Sequence, residues 1–391
     1  MKRILTYCAA FMLALILLPA GSLATTAESP IFLGGTGDDS CAGTLQLPNG
    51  NLILSLSSKG GRNGEPEYPG NVSKTWLLCL APDGSTVWET TFGEEHKNGY
   101  TSLYLLTLND DDTFTGTARY SISQFPQYRQ EMTFSCADGS LLSQGDRIPE
   151  DADTCMQYFK HNGFTLISEP IMSGADDDYR ILRMLDAAGN ELWQLDSVAI
   201  GIGYPDGFTP AAQGTLLYGG NANTANNTAQ ATVSLVDPSG HAVWTHHVEN
   251  LDNGDFFDGM VDSGGRFIAV GFCNNQGQGS ARQLVLCIDI DTGAVIWQRV
   301  AGTADRRLPC RHLTELNGQY ILCDSGDQYQ SNLFETLDQD GYEVQRWTTS
   351  IPGYTMLTPR FFWWNGELWT ENLVQTNDMD AVLERVVIPA S

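Results

Sequence analysis

The chain has 391 residues and a formal net charge of −26, from 47 acidic side chains against 21 Lys and Arg. That balance repels nucleic acid and anionic lipid, and it weighs against polyanionic partners. The length exceeds what one ordinary hydrophobic core covers, so the chain must either divide into domains or repeat.

The first residues read as a unit of their own. Lys2 and Arg3 precede an apolar run from Ala9 to Leu18, and Ser22-Leu23-Ala24 follows as a small-x-small cleavage site. This is the pattern of a secretory signal peptide over residues 1–24, leaving 25–391 as the working chain at the cell surface or secreted. The run is too short to span a bilayer comfortably, so no stable membrane insertion is expected after cleavage. Cys8 precedes the apolar run, so a lipidated cysteine at the cleavage site is not supported. Eight cysteines remain beyond it, an even number that permits disulfides. Buried free thiols are the equal alternative; if a bridge forms, the first pairing expected is Cys310 with Cys323, on neighbouring strands across the Asn317-Gly318 turn though diagonal in register.

From there the chain repeats. One series is an Asp-Gly type turn, usually with Trp four residues after its Gly: Asp83-Gly84 with Trp88, Asp138-Gly139, Asp186 to Gly189 with Trp193, Asp237 to Gly240 with Trp244, Asp291 to Gly293 with Trp297, and Asp340-Gly341. Successive glycines lie 55, 50, 51, 53 and 48 residues apart. Ser143 stands where the second turn would carry Trp, and Gln345 where the sixth would. A second series of hairpin signals alternates with the first: Asn49-Gly50, Asp111-Asp112, Asn162-Gly163, Gln213-Gly214, Gly264-Gly265, Asn317-Gly318 and Asn365-Gly366. Asn-Gly and Gly-Gly supply the positive φ that tight hairpins need.

Each repeat therefore holds four short strands. Several, such as Leu52 to Leu56 and Leu284 to Ile288, are almost continuously apolar. A sheet wetted on one face would alternate strictly, whereas a blade packed between two neighbours is buried on both. The pattern predicts an all-β, seven-bladed β-propeller of four-stranded antiparallel blades. The chain ends after a third strand of its last repeat, Ala381 to Ile388, and begins with Ile31-Phe32-Leu33, which matches an outer strand. The N-terminal strand is thus expected to complete the last blade and close the ring.

The repeats resemble those of the PQQ-like, or quinoprotein-type, propellers from about residue 29 to the end. Asp289-Ile290-Asp291-Thr292-Gly293-Ala294-Val295-Ile296-Trp297 fits that family's D-x-x-T-G-x-x-x-W docking pattern. The resemblance implies that Trp88, Trp193, Trp244 and Trp297 each pack onto the adjoining blade. It does not choose an activity, because the family contains dehydrogenases and non-catalytic scaffolds alike. Its dehydrogenases typically have eight blades and often a vicinal cysteine pair on the cofactor, whereas this chain has seven repeats and no adjacent cysteines. No cofactor is therefore expected.

Other constellations read more simply as structure. His246-His247 suggests a metal site, but adjacent strand residues point to opposite faces. Asp38-Asp39, Asp110-Asp111-Asp112, Asp176-Asp177-Asp178 and Asp338 with Asp340 would suit calcium, yet Asx-turn chemistry explains them equally and none fits a calcium-loop spacing. With 47 acids, no carboxylate pair for glycoside cleavage can be singled out. The least repeat-like aromatics are Phe361-Phe362-Trp363-Trp364, with Trp369 and Trp76. Trp76, Trp363 and Trp364 are the candidate ligand-binding residues, because flat aromatic faces stack on sugars or anchor proteins.

The favoured expectation is a non-catalytic recognition or scaffold propeller that binds a protein or glycan partner through loops on one rim. The insertion Lys59 to Lys74 is the most divergent of these loops. The alternative is a secreted carbohydrate-active or quinoprotein-like enzyme. A polar central pocket with converging carboxylates would favour the enzyme; an apolar plug with exposed rim aromatics would favour binding.

Overall fold

The computed structural model describes residues 29–389 apart from 35–36, 61–67, 69–71, 94–98, 110–111, 122–126, 151–156, 162, 171–179, 224–227, 250–252, 276–277, 302–309, 326–330, 353 and 376–378. The signal-like segment 1–24, Cys155, most of the Lys59 to Lys74 insertion, Asp110-Asp111 and Asp176 to Asp178 lie outside the described residues.

Strand β1 (Ile31–Leu33) opens the chain. Blade 1 follows as β2 (Asp39–Gln46), β3 (Leu52–Ser58), β4 (Lys74–Leu80) and β5 (Thr86–Phe92). Blade 2 holds β6 (Tyr100–Leu108), β7 (Thr113–Ser121) and β8 (Gln127–Ser135), with two short outer strands, β9 (Leu141–Gln144) and β10 (Ile148–Glu150), both paired to β8. Blade 3 is β11 (Gln157–His161), β12 (Phe164–Pro170), β13 (Arg180–Leu185) and β14 (Glu191–Asp196). Blade 4 is β15 (Tyr204–Ala211), β16 (Gly214–Asn223), β17 (Thr228–Val236) and β18 (Ala242–His247). Blade 5 is β19 (Asn253–Val261), β20 (Arg266–Asn275), β21 (Gln278–Asp289) and β22 (Val295–Ala301). Blade 6 is β23 (His312–Leu316), β24 (Gln319–Ser325), β25 (Asn332–Leu337) and β26 (Glu343–Thr349). Blade 7 is β27 (Thr355–Trp364), β28 (Glu367–Gln375) and β29 (Met379–Arg385), completed by β1.

The fold is a seven-bladed β-propeller, and its ends meet as the repeat count requires. β1 pairs antiparallel with β29, Ile31 opposite Leu383, Phe32 opposite Val382 and Leu33 opposite Ala381. The backbone N–H of Arg385 donates to Ser29 Oγ at 2.9 Å, and that of Met379 donates to Asp38 Oδ1 at 3.0 Å. Asp38 also pairs with Lys59, which ties blade 7 to blade 1. Leu33, Leu54, Trp76, Trp364, Trp369 and Leu383 form one buried cluster across that junction. Among the described residues, no helix is long and apolar enough to cross a membrane.

In blade 1 burial is greatest in the two middle strands, and the innermost strand β2 is largely half-buried. β3 and β4 are buried along nearly their whole length, on both faces, while β5 at the outer edge alternates between exposed and half-buried. That difference is why the middle strands carry consecutive apolar residues and the outer ones do not.

The blades are locked by tryptophans. Trp88 Nε1–H donates to the Cys136 carbonyl of blade 2 at 3.0 Å, Trp244 to the Ile290 carbonyl of blade 5 at 2.8 Å, and Trp297 to the Gln339 carbonyl of blade 6 at 2.9 Å. Each indole lies flat on the turn glycine of the next blade, so a Cβ at Gly139, Gly293 or Gly341 would sit 2.5 to 2.7 Å from the ring. Trp193 also meets Gly240, but through the base of its side chain, its Cβ lying 2.9 Å and its Cγ 3.4 Å from an added Cβ. In blade 6, Gln345 occupies the equivalent register position, and its Nε2 reaches the Pro389 carbonyl at 3.3 Å. Trp347, two residues on, stacks within its own blade on Phe334. From blade 7, Trp364 donates to the Gly50 carbonyl of blade 1 at 2.8 Å.

One seam is left bare. Ser143 lies opposite Thr133 in β8, the register position that Trp88, Trp193, Trp244 and Trp297 hold in their own blades. It is exposed, and the glycine it would cover, Gly189, has nothing within 4 Å of an added Cβ. Among the described residues, buried apolar clusters bridge blades 1 and 2, 3 and 4, 4 and 5, 5 and 6, and 7 and 1; none joins blades 2 and 3 or blades 6 and 7, but blades 6 and 7 are linked by Asn332 Nδ2, which donates to Asn372 Oδ1 at 2.6 Å, and by the Phe334 and Phe361 rings.

The expected cysteine pairing is corrected. Cys310 and Cys323 are free thiols side by side, Cys310 Sγ lying 3.4 Å from the His312 carbonyl and 3.7 Å from the Cys323 carbonyl. His312, not Cys310, is opposite Cys323 in the ladder, so the two thiols are diagonal, and the Cys310 thiol bonds to carbonyls instead. Burial pushes both thiols well above the ordinary cysteine range.

The docking account predicts unequal costs for the same substitution. Gly189 (φ +82°) and Gly293 (φ +70°) both have left-handed backbones, but only Gly293 lies beneath an indole. Gly189→Ala should cost about 1 kcal/mol of backbone strain. Gly293→Ala should cost roughly 1 to 3 kcal/mol more, because Trp244 must lift. Chemical denaturation of the two variants checks this, and equal losses would contradict it.

Candidate functional site

The innermost strands surround a central cavity of about 640 Å³. Its walls come from six blades: Leu105 from β6, Tyr158 to His161 from β11, Asp206 to Phe208 from β15, Phe257 from β19, His312 from β23 with Arg311 just before it, and Arg360 from β27. Tyr218, from the second strand of blade 4, forms part of the floor.

Bulges aim several of these side chains. The β15–β16 register slips between Pro205 and Gly207, leaving Asp206 unpaired, and the β19–β20 register slips between Phe256 and Asp258, leaving Phe257 unpaired. The β6–β7 register slips between Tyr104 and Thr107, and Leu105 there has φ +56°, a strained value for a leucine. A bulge adds a residue that has no ladder partner and redirects its side chain. Here the added residues face the cavity. Gly207 matters for a second reason: a Cβ there would lie 2.4 Å from the Tyr218 hydroxyl, so glycine leaves room for that oxygen at the cavity wall.

The lining is cationic in a chain that is strongly acidic overall. Lys160, His161, Arg311, His312 and Arg360 line it, against one carboxylate, Asp206. The Arg311 guanidinium sits 5.3 Å from the Phe257 ring centroid. His312 Nδ1 lies 3.7 Å from Asp258 Oδ2, and the same carboxylate accepts from the N–H of Leu313 at 3.1 Å and of Gly259 at 2.8 Å. Asp258 is thus fixed by backbone donors and holds the imidazole in place.

Burial tunes the titrating groups. It pushes His161 below the ordinary histidine range, opposed by the charge of Asp258, so the imidazole is neutral near pH 7. It lowers Lys160, opposed by Glu131. It raises Tyr218 well above the ordinary phenol range, keeping the hydroxyl protonated. Behind Asp206 lies Asp255, and the two carboxyls hydrogen-bond to each other. Burial, then the neighbouring Asp206, pushes Asp255 up to about 8. Such a pair shares one proton at neutral pH. Glu371 is pushed up to about 7 by burial, with Arg360 pulling the other way.

The aromatics singled out from the sequence fall elsewhere. Trp76 and Trp364 are 2% and 1% exposed, packed between blades 7 and 1, with no ring face open to a ligand. Only Trp363 is at the surface, 39% exposed, with Nε1 3.3 Å from Thr314 Oγ1 of blade 6. His247 Nδ1 lies 2.9 Å from Thr232 Oγ1 on the neighbouring strand. Asp338 accepts from the N–H groups of Asp340 and Tyr342 as a turn-forming side chain. Among the described residues, no group of three or more His, Cys, Asp or Glu could hold a metal ion.

No protein-family model matches the chain, and no curated protein matches it. Solved structures do. It is similar to the polysaccharide lyase Uly1, at 11% identity and a TM-score of 0.52, over 94% of this chain and 93% of that one. It is also similar to an acylaminoacyl peptidase from Pyrococcus horikoshii, at 8% identity and a TM-score of 0.48, covering 90% of this chain but only 52% of the peptidase. A GH43_1 enzyme from Xanthomonas citri is a further match, at 15% identity, 61% of this chain, 88% of the enzyme and a TM-score of 0.35. The likeness to Uly1 is one of fold.

A raised carboxyl stabilises the fold fully below its unfolded pKa of about 3.9, and that contribution is lost as pH rises through the folded value. Stability should therefore fall from about pH 4 to about pH 8 and level off once Asp255 has ionised in the folded protein near 8. Asp255→Asn mimics the protonated form and should flatten that fall by about 1 kcal/mol or more. Melting curves across the range check this; parallel pH profiles for the two proteins would contradict it.

Proposed function

We propose that this chain is a carbohydrate-active enzyme working in the central cavity on a sugar that bears a carboxylate. The observation that carries the reading is the cavity lining, where Arg311, Arg360, Lys160 and two imidazoles face one open recess in a chain of net charge −26. Net charge governs long-range repulsion, whereas a recessed cationic pocket acts locally on a ligand that has already entered.

The chemistry best suited to these groups is removal of a proton next to the sugar carboxylate. Arg311 and Arg360 neutralise that carboxylate and so acidify the adjacent C–H. Neutral His161 takes the proton, the freed electron pair forms a C=C bond, and the glycosidic C–O bond at the next carbon breaks. Tyr218, held protonated by burial, supplies the proton to the departing oxygen. Hydrolysis by two separated carboxylates suits the site less well. Asp206 and Asp255 contact each other directly, whereas a glycosidase pair stands about 5 Å or more apart around the sugar.

The quinoprotein branch of the alternative has less support. Among the described residues, the cavity lining includes neither a cysteine nor a tryptophan to stack on a planar quinone. A pure recognition module retains one exposed rim indole, Trp363, of the three expected. An extracytoplasmic site of action rests on the leader-like residues 1–24 alone.

The test is a panel of acidic and neutral polysaccharides, followed by the ultraviolet absorbance of an unsaturated product. Activity is expected on uronate-containing chains only, and His161→Ala should lower it about 100-fold or more. Activity confined to neutral glycans, or an unaffected His161→Ala, would contradict the reading.

A further inference from the structure

We infer that the seam between blades 2 and 3 is a binding groove for an acidic oligosaccharide chain, running from the central cavity out between the two blades. It rests on the proposed reaction for the identity of the sugar only. The groove itself stands on geometry.

The seam lacks the side-chain cover that is present, as an indole or its replacement, at the other seams. Elsewhere a tryptophan or its Gln345 substitute covers the next blade, but here Ser143 is exposed and Gly189 has no neighbour within 4 Å of an added Cβ. Local rules that hold throughout a repeat are expected to fail where function needs them to. The space left open is a cleft of about 780 Å³ between the blades. It shares Leu105, Tyr158, Lys160 and His161 with the central cavity, so the two are continuous. Its far end reaches the blade 3 turn at Asp186 to Gly189.

The charged wall residues are Arg129 and Lys160 with Glu131 and Asp186; the cations stand at the cavity end, beside Tyr158, and Asp186 lies at the far end, so an acidic sugar unit is met where the groove enters the cavity. The Arg129 guanidinium lies over the Tyr158 ring at 4.3 Å from its centroid, forming a flat cationic platform across the seam. Thr107, Thr115, Thr117 and Thr165 offer hydroxyls that can pair with sugar hydroxyls. Leu106 and Phe164 supply apolar surface for the C–H faces of the rings. Lys160 sits where groove and cavity join, placed to meet a carboxylate on the chain. A small ligand would need only the cavity. A groove continuous with it serves a substrate that extends beyond the reacting unit.

The experiment is calorimetric titration of the full chain with oligogalacturonates from dimer to octamer, repeated with Ser143→Trp. That substitution restores the docking aromatic, and it should raise the melting temperature while closing the groove. Affinity of the unmodified protein should rise at least about 10-fold with chain length. Ser143→Trp should abolish that rise and leave dimer binding within about 2-fold. If Ser143→Trp does not fold, Arg129→Gln should reduce the rise without repacking. Affinity independent of length, a rise that survives both variants, or no binding at any length would overturn the proposal. Length-dependent binding without turnover would sink the proposed reaction and leave the groove standing; turnover with length-independent binding would do the reverse.

Discussion

A blade buried on both faces cannot be stable alone, because each face needs a partner surface to exclude water. The whole architecture therefore depends on the contact between one blade and the next. In this protein that contact is an indole lying on a glycine, with its N–H given to the carbonyl of the adjoining turn, as in Trp88 on Gly139, Trp244 on Gly293 and Trp297 on Gly341. The glycine serves twice, since the turn needs a left-handed residue and the indole needs a surface without a side chain. Side-chain hydrogen bonds reinforce it, such as Thr209 to the Gly259 carbonyl and Asn332 to Asn372. The final contact, β1 on β29, converts a row of blades into a ring.

This arrangement explains how much could be read in advance. Blade number, hairpin positions and closure by the first strand follow from turn residues whose backbone geometry is dictated locally. The docking role of the tryptophans follows from their constant distance from those turns. Even the exceptions at Ser143 and Gln345 were visible as gaps in the series. What was hidden is the cavity. Its residues lie on the innermost strands, where bulges at Asp206, Phe257 and Leu105 set which side chain faces inward, and a bulge depends on a partner strand the local pattern does not encode. Composition was misleading as well, since −26 overall says nothing about five basic side chains around one recess. Trp76 and Trp364 looked like binding aromatics because they depart from the repeat, but they depart in order to fill the junction where the chain ends meet.

Stability and function are thus divided between the two series of contacts. The outer parts of the blades repeat and hold the ring, while the inner strands vary and build a site from six blades at once. The repeating contact is replaced by Gln345 after blade 6 and by Trp364 after blade 7, and after blade 2 it is missing, where the cleft between blades 2 and 3 shares Leu105, Tyr158, Lys160 and His161 with the central cavity. A ring tolerates one undocked seam only if it is closed everywhere else, so that the two blades beside the gap are held from their far sides.

Closure is therefore the claim to test most directly. The measurement is thermal unfolding of two forms of the chain, one beginning at residue 29 and one at residue 36, the second lacking β1. Losing the β1 ladder and the buried Leu33 should lower the melting temperature by roughly 5 °C or more and broaden the transition. Superimposable melting curves would mean that the first strand does not hold the ring shut.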